Sequence, residues 1–197
     1  MPKAAKGGQY ERLFCKEISL WWTGGERDDV FWRSAQSGGR ATQRMKKGLK
    51  THGSYGDIAA VDPIGEPLIK FATIELKRGN THGAAADLLE IRRTKKERPF
   101  EKSINQAIKS AEQAGSWGWL LIVRRDAREA VLYMPMNIYG MLNSTGSAFT
   151  PRIVYKMKIN QPADAAPKKM QFVGVHLADF LRRVSPIEII QHMKGLE

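Results

Sequence analysis

Between Gln9 and Trp22 (QYERLFCKEISLWW) the apolar residues Tyr10, Phe14, Ile18, Trp21 and Trp22 recur at the spacing of one helical stripe. Thr23-Gly24-Gly25 stops that helix. A short strand is predicted over Asp29–Ser34. The segment 35–56 has no apolar period, is rich in glycine, and carries Arg40, Arg44, Lys46, Lys47, Lys50 and His52 without one acid. It reads as a flexible basic loop. Gly56 to Gly79 (GDIAAVDPIGEPLIKFATIELKRG) then reads as two short strands joined by a Pro/Gly turn. A polar, basic stretch over 78–98 holds a helix-like piece around Ala84–Ile91.

Farther along, Phe100, Ile104, Ala107, Ile108, Ala111 and Ala114 return to helical spacing, with Gly115 where a C-cap glycine belongs. WGWLLIVRR and REAVLYMP form a strand pair turning at Asp126-Ala127. From about Asn137 the pattern is weaker: a strand (RIVYKMKI), a Pro/Ala linker (QPADAAP), a strand (QFVGVHL) and one or two short terminal helices. Helix, three strands, helix, two strands is the order of an α/β sandwich with a mixed central sheet flanked by helices, not of a doubly wound fold. The expected division is a core over 7–136 and a C-terminal extension over 137–197 packed on it.

At 197 residues, 42% hydrophobic and 26% charged, the chain suits one sizeable folded domain. A formal net charge of +12 repels itself unless a polyanion is present, so nucleic acid is the expected partner; a merely solubilising or ribosome-associated surface is the alternative. The single cysteine, Cys15, makes no internal disulfide or zinc site. No run is apolar enough for a membrane span, and the N-terminus lacks a signal-peptide core. A cytoplasmic, DNA-associated protein is expected.

The candidate chemistry sits at two strand ends. Asp57 opens one strand, and Glu75 and Lys77 close the next. Alternation puts Thr73, Glu75 and Lys77 on one face and Ile74 and Leu76 on the other. Two carboxylates on adjacent strands make an oxygen-rich site suited to Mg²⁺ or Mn²⁺. Without a cation one of them would have to take up a proton. A metal, two acids and a lysine are what phosphodiester hydrolysis requires. An E-x-K triplet alone is equally an ordinary ion pair; the preceding Asp, the basic loop and the net charge shift the reading toward a site.

These residues resemble the core motif of the PD-(D/E)XK nuclease superfamily and its restriction-endonuclease-like core, with Gly56 standing where the motif's proline would be. Within it, Gly8-Gln9-Tyr10-Glu11-Arg12 and Arg33-Ser34-Ala35-Gln36-Ser37-Gly38-Gly39 are similar to the Holliday-junction resolvases of the archaeal type. The resemblance implies that Asp57, Glu75 and the Leu76 carbonyl hold the metal, that Lys77 orients or activates the attacking water, and that Glu11 completes the acidic cluster directly or through a metal-bound water. Glu11 shares a stripe with Phe14, Cys15 and Ile18, whereas Glu17 lies on another side. Arg33 and Ser34 would touch phosphate near the scissile bond, with Arg12, Ser37, Arg40, Arg44, Lys46, Lys47 and Lys50 along the DNA.

Gln106 either approaches the site, as a helix glutamine does in many nucleases of the superfamily, or is solvated or touches DNA backbone. His52, His82, His176 and His192 show no ligand spacing and take no catalytic role. The implied protein is a homodimeric, metal-dependent DNA endonuclease acting on branched or structured DNA. A catalytically silent nucleic-acid-binding protein, and a nuclease subunit of a restriction or DNA-packaging system, are the alternatives.

Overall fold

In the computed structural model, residues 3–34, 55–89, 97–144, 150–151, 153–159 and 168–196 are described. The basic loop residues Ser37, Arg40, Arg44, Lys46, Lys47 and Lys50 lie outside these, as does the 160–167 linker.

Helix α1 (Lys3–Trp22) buries the predicted stripe, Tyr10, Phe14, Ile18 and Trp22, together with Cys15. Burial pushes the Cys15 thiol up to about 12, so it stays protonated and inert. Gly24 and Gly25, at φ 65 and 97, end the helix and turn the chain. Ser19 ties the next element down. Its hydroxyl donates to the Cys15 carbonyl (2.7 Å) and accepts the Phe31 amide (3.0 Å).

Strands β1 (Phe31–Arg33) and β2 (Ile58–Ala60) pair antiparallel as a separate two-stranded ribbon. After β2, where the sequence suggested only a turn, a 3₁₀ turn (Pro63–Gly65) leads into a short helix, α2 (Glu66–Phe71). Asp62 accepts the Ile64 amide, Pro67 sits in the first turn, and Leu68 and Phe71 are buried three residues apart. In so short a run that spacing resembles a strand's apolar content, which is why the helix escaped the pattern.

The main sheet has five described strands in the order β3-β4-β5-β7-β6: β3 (Ala72–Arg78), β4 (Gly118–Arg124), β5 (Val131–Pro135), β6 (Ile153–Ile159) and β7 (Lys168–His176). Only β3 and β4 are parallel, in register from Ala72 opposite Gly118 to Arg78 opposite Arg124. Their crossover carries a 3₁₀ turn at Ala85–Leu89, where a helix-like piece was expected, and helix α3 (Pro99–Ala114), capped by Gly115 at φ 66. A further helix, α4 (Met136–Ser144), fills the region where the pattern was weakest. Helices α5 (Leu177–Arg183) and α6 (Pro186–Lys194) close the chain.

Strand alternation sorts the core into two clusters. Ile74, Leu76, Leu120, Ile122, Leu132, Met134, Val173 and Val175 face α1 and the C-terminal helices. Trp119, Leu121, Val123, Tyr133 and Phe172 face α3. The chain beyond 136 therefore supplies two strands of the sheet. Its last helix also docks on α2, with His192 edge-on to Trp117 (4.5 Å between centroids) and to Phe71 (6.3 Å). No helix among the described residues is long and apolar enough to cross a membrane.

A chain ending at Met136 would leave Leu132 and Met134 without β7 and uncover one sheet face. It is expected to lose cooperative thermal unfolding followed by circular dichroism. A truncated chain melting as sharply as the full one would make the C-terminal segment an appendage.

Candidate active site

Strand β3 lies at an edge of the sheet, and the entry to β2 is fastened to that edge. The Asp57 amide donates to the Ile74 carbonyl (2.8 Å), and the Asp57 carboxylate accepts the Leu76 amide (2.7 Å). On the other side the Ser34 amide donates to the Asp57 carbonyl (2.9 Å), and the Ser34 hydroxyl donates to the Gly56 carbonyl (2.6 Å). Gly56 makes this approach feasible. Its φ is 74, and a Cβ there would stand 2.6 Å from the Ile74 carbonyl oxygen and 2.7 Å from Thr73 Cγ2. Proline, locked near φ −65°, could not take this conformation. The missing motif proline is thus replaced by a residue the local geometry demands.

Glu75 is almost wholly buried, at 2% exposure, yet fully partnered. One carboxylate oxygen accepts Lys77 Nζ (3.0 Å) and Gln106 Nε2 (2.9 Å); the other accepts the Ser110 hydroxyl (2.8 Å). Gln106 and Ser110 are one turn apart on α3, so a single helix face supplies both. Thr73, on the same face of β3, bonds Ser116 (2.9 Å). Of the two readings of Gln106, this placement matches an approach to the site; solvent and DNA-backbone contact are not its role in this arrangement. Ser110 was missed. Its only sequence signal is its position four residues after Gln106.

Glu11 is held by an ion pair from Arg33 Nε. Together with Asp57, Leu76 and Lys77 it lines a cleft of about 540 Å³, walled also by Arg78, the Gly79–His82 turn and Asp126. Glu17 faces elsewhere, into a smaller pocket with Tyr10 and Arg124. Arg12 is exposed on α1 and does not line the cleft. Ser34, expected on a phosphate, is buried and spends its hydroxyl on Gly56. Arg33, expected on a phosphate as well, is paired with Glu11. Both placements have one cause: buried polar groups near Asp57 and Glu11 must be partnered, and these are the donors within reach.

Burial raises the Asp57 carboxyl to about 7, and the negative Glu75 adds to the rise, against the pull of Lys77 and the Leu76 amide. The His82 imidazole, on the cleft wall, is held below its ordinary value by burial and then by Lys77. Among the described residues no three Asp, Glu, His or Cys side chains are assembled around one point. The oxygen donors that fit a hard cation are therefore Asp57, Glu75 and the Leu76 main chain, and a cation there would relieve the strain that otherwise protonates Asp57.

The five-stranded mixed sheet flanked by helices, with Asp57 fastened to β3 and Glu75 paired to Lys77 on it, has the architecture of a PD-(D/E)XK nuclease core. A family model described as "Phage putative PDDEXK endonuclease" matches residues 3–191, and the chain belongs to that family. No curated protein and no solved structure gives a significant match. The family match spans the last two strands as well as the first five.

The Asp57 shift has a stability consequence. Its folded value lies above the roughly 3.9 of an unfolded chain, so the folded state binds the extra proton. Metal-free protein should be favoured below about pH 4, lose that contribution as pH rises, and have lost it once pH passes about 7. Asp57→Asn should flatten this dependence and melt higher than wild type at pH 8 in chelator. A lower melting temperature there would contradict the assigned burial of Asp57.

Proposed function

We propose that the protein is a metal-dependent DNA endonuclease whose centre is built on Asp57, Glu75 and Lys77. The observation that carries this reading is the pair of carboxylates set against Lys77 at the end of β3, with Asp57 facing an open cleft. Asp57, Glu75 and the Leu76 carbonyl would hold Mg²⁺ or Mn²⁺. When bound, such an ion supplies positive charge that acidifies water and neutralises a phosphate.

The chain's own groups do the rest. Gln106 and Ser110 orient Glu75 through two hydrogen bonds. Lys77 offers an ammonium to charge developing on the phosphate, and Arg33 aims Glu11 into the cleft. A silent nucleic-acid-binding protein would gain nothing from two neighbouring buried acids, one of them lining a cleft, because carboxylates there repel phosphate and cost stability. The preference for branched or structured DNA and the two-fold dimer, which would present two centres to two strands, are supported by the N-terminal likeness to resolvases.

The purified protein should cut DNA only when Mg²⁺ or Mn²⁺ is added. Linear, nicked, single-stranded and four-way-junction substrates should separate, with the junction cut best. Equal cutting of all four would remove the structural preference and leave the nuclease. Asp57→Asn, Glu75→Gln and Lys77→Ala should each lower the cleavage rate at least about a hundredfold while DNA binding persists. Wild-type cleavage by Glu75→Gln would refute the site.

Replacing Glu11 by Gln should cost much more cleavage than the same change at Glu17, since only Glu11 lines the cleft. A larger loss at Glu17 would overturn the role given to α1.

A further inference from the structure

Beside the cleft lies a second concavity of about 450 Å³, lined by Arg125 and Arg128 with Val123, Val131 and Tyr133, and also by Glu129 and His176, which face each other. The two hollows share walls. Asn80, Thr81 and His82 line the cleft, and the next residues, Gly83 and Ala84, line the concavity. Across from them Asp126 faces the cleft, while its neighbours Arg125 and Ala127 face the concavity.

The turn that carries these arginines is tied to the strand that carries the acids. Arg78, the residue after Lys77, donates from Nη1 to the carbonyls of Arg124 (3.1 Å) and Arg125 (2.8 Å). Its Nη2 lies 3.3 Å from the Asp126 carboxylate. The Gly79 amide donates to the Arg124 carbonyl (2.9 Å), and the Asp126 amide donates to Asn80 Oδ1 (3.2 Å). Ala127 is held at φ 55, a conformation a non-glycine residue keeps only when its surroundings impose it. The backbone of the turn is therefore fixed relative to Lys77.

Two of its charges, Arg125 and Arg128, are not used internally. Neither Arg125 nor Arg128 forms an ion pair among the described residues, although Glu129 is next in the chain; Glu129 instead lies 3.3 Å from His176 Nδ1. Two exposed guanidinium groups on a rigid turn are suited to phosphate oxygens, which they meet with paired N–H donors. We propose that this turn is a second phosphate-binding site, which takes the phosphodiester backbone of the substrate outside the scissile position as it leaves the cleft over the Asn80–Gly83 segment. The proposal rests on the nuclease reading for the direction of the strand.

The test is duplex-DNA affinity across a salt series, in chelator so that nothing is cut, for wild type, for Arg125→Gln/Arg128→Gln, and for Lys16→Gln/Arg182→Gln. The last variant removes the same charge from residues already paired with Asp28 and Asp179. Both variants should melt as wild type does, since all four side chains are exposed. Loss of two phosphate contacts should make the slope of log K against log salt shallower by about 1.8 for the turn variant, with the control slope unchanged. Equal slopes for wild type and the turn variant would overturn the proposal while leaving the nuclease reading intact. Equal flattening in both variants would overturn it too, because net charge would then be the cause. Wild-type protein without measurable affinity for DNA would bring down the nuclease reading and this proposal together.

Discussion

Two parallel neighbouring strands cannot be joined by a tight turn; the chain must cross from the end of one to the start of the next. The single parallel pair here, β3 with β4, imposes that crossover, and α3 is what fills it. The helix then has to cover the face of the sheet on which Trp119, Leu121 and Val123 stand. Glu75 lies on the same face, opposite Leu121 in the register. Lys77 pairs with one oxygen of that buried carboxylate but leaves the other without a donor, at a cost in stability, unless the covering helix brings more. It brings Gln106 and Ser110. Topology, core packing and the chemistry of the site are thus one arrangement: the helix that makes the parallel pair possible also makes its acid tolerable.

The other acid is placed by the opposite circumstance. As an edge strand, β3 has main-chain groups that no further strand of its sheet takes up. Asp57 occupies two of them, giving its amide to Ile74 and taking the Leu76 amide on its carboxylate. Its position is therefore set by backbone, and Gly56 is the residue that lets the backbone come so close. The two acids differ accordingly. Glu75 is satisfied by three side-chain donors and is part of the core's fabric. Asp57 has one amide and a cleft in front of it, so the tension of bringing two carboxylates together is expressed at Asp57, whose carboxyl rises to about 7.

What the sequence could show follows from which interactions are local. The stripe of α1, the stripe and glycine cap of α3, and the β4–β5 hairpin are written in residues a few positions apart; their C-terminal ends fall close to those expected, although α1 begins at Lys3 and not at Gln9. The alternation that puts Glu75 and Lys77 together is equally local. The short helix α2 was hidden because six residues hold too little period to separate helix from strand. The partners of Arg33, Ser34 and Ser110 were hidden for a different reason. Each is chosen across at least 22 positions of chain, and nothing in a neighbouring residue says whether an arginine will meet a phosphate or a glutamate. The pairing of β7 with β5, which draws the chain after 136 into the sheet, is long-range in the same sense.

The distribution of positive charge carries this one step further. A net charge of +12 suggests cations converging on the acids, but among the described residues those lining or adjoining the cleft are already engaged. Lys77 bonds Glu75, Arg33 holds Glu11, and Arg78 fastens the β4–β5 turn. Each makes a short-range, partly buried contact that salt screens weakly. The cations without internal partners, such as Arg125 and Arg128, stand farther out and exposed, where attraction to a polyanion is strongly screened. The fold thereby separates two tasks that composition alone would merge. Holding the acids in register is assigned to inner cations whose loss disturbs geometry. Holding the nucleic acid falls to outer cations whose loss changes affinity and its dependence on salt. A substitution that altered both equally would have to act on an element joining the two sets, and Arg78, between Lys77 and the turn, is the residue so placed.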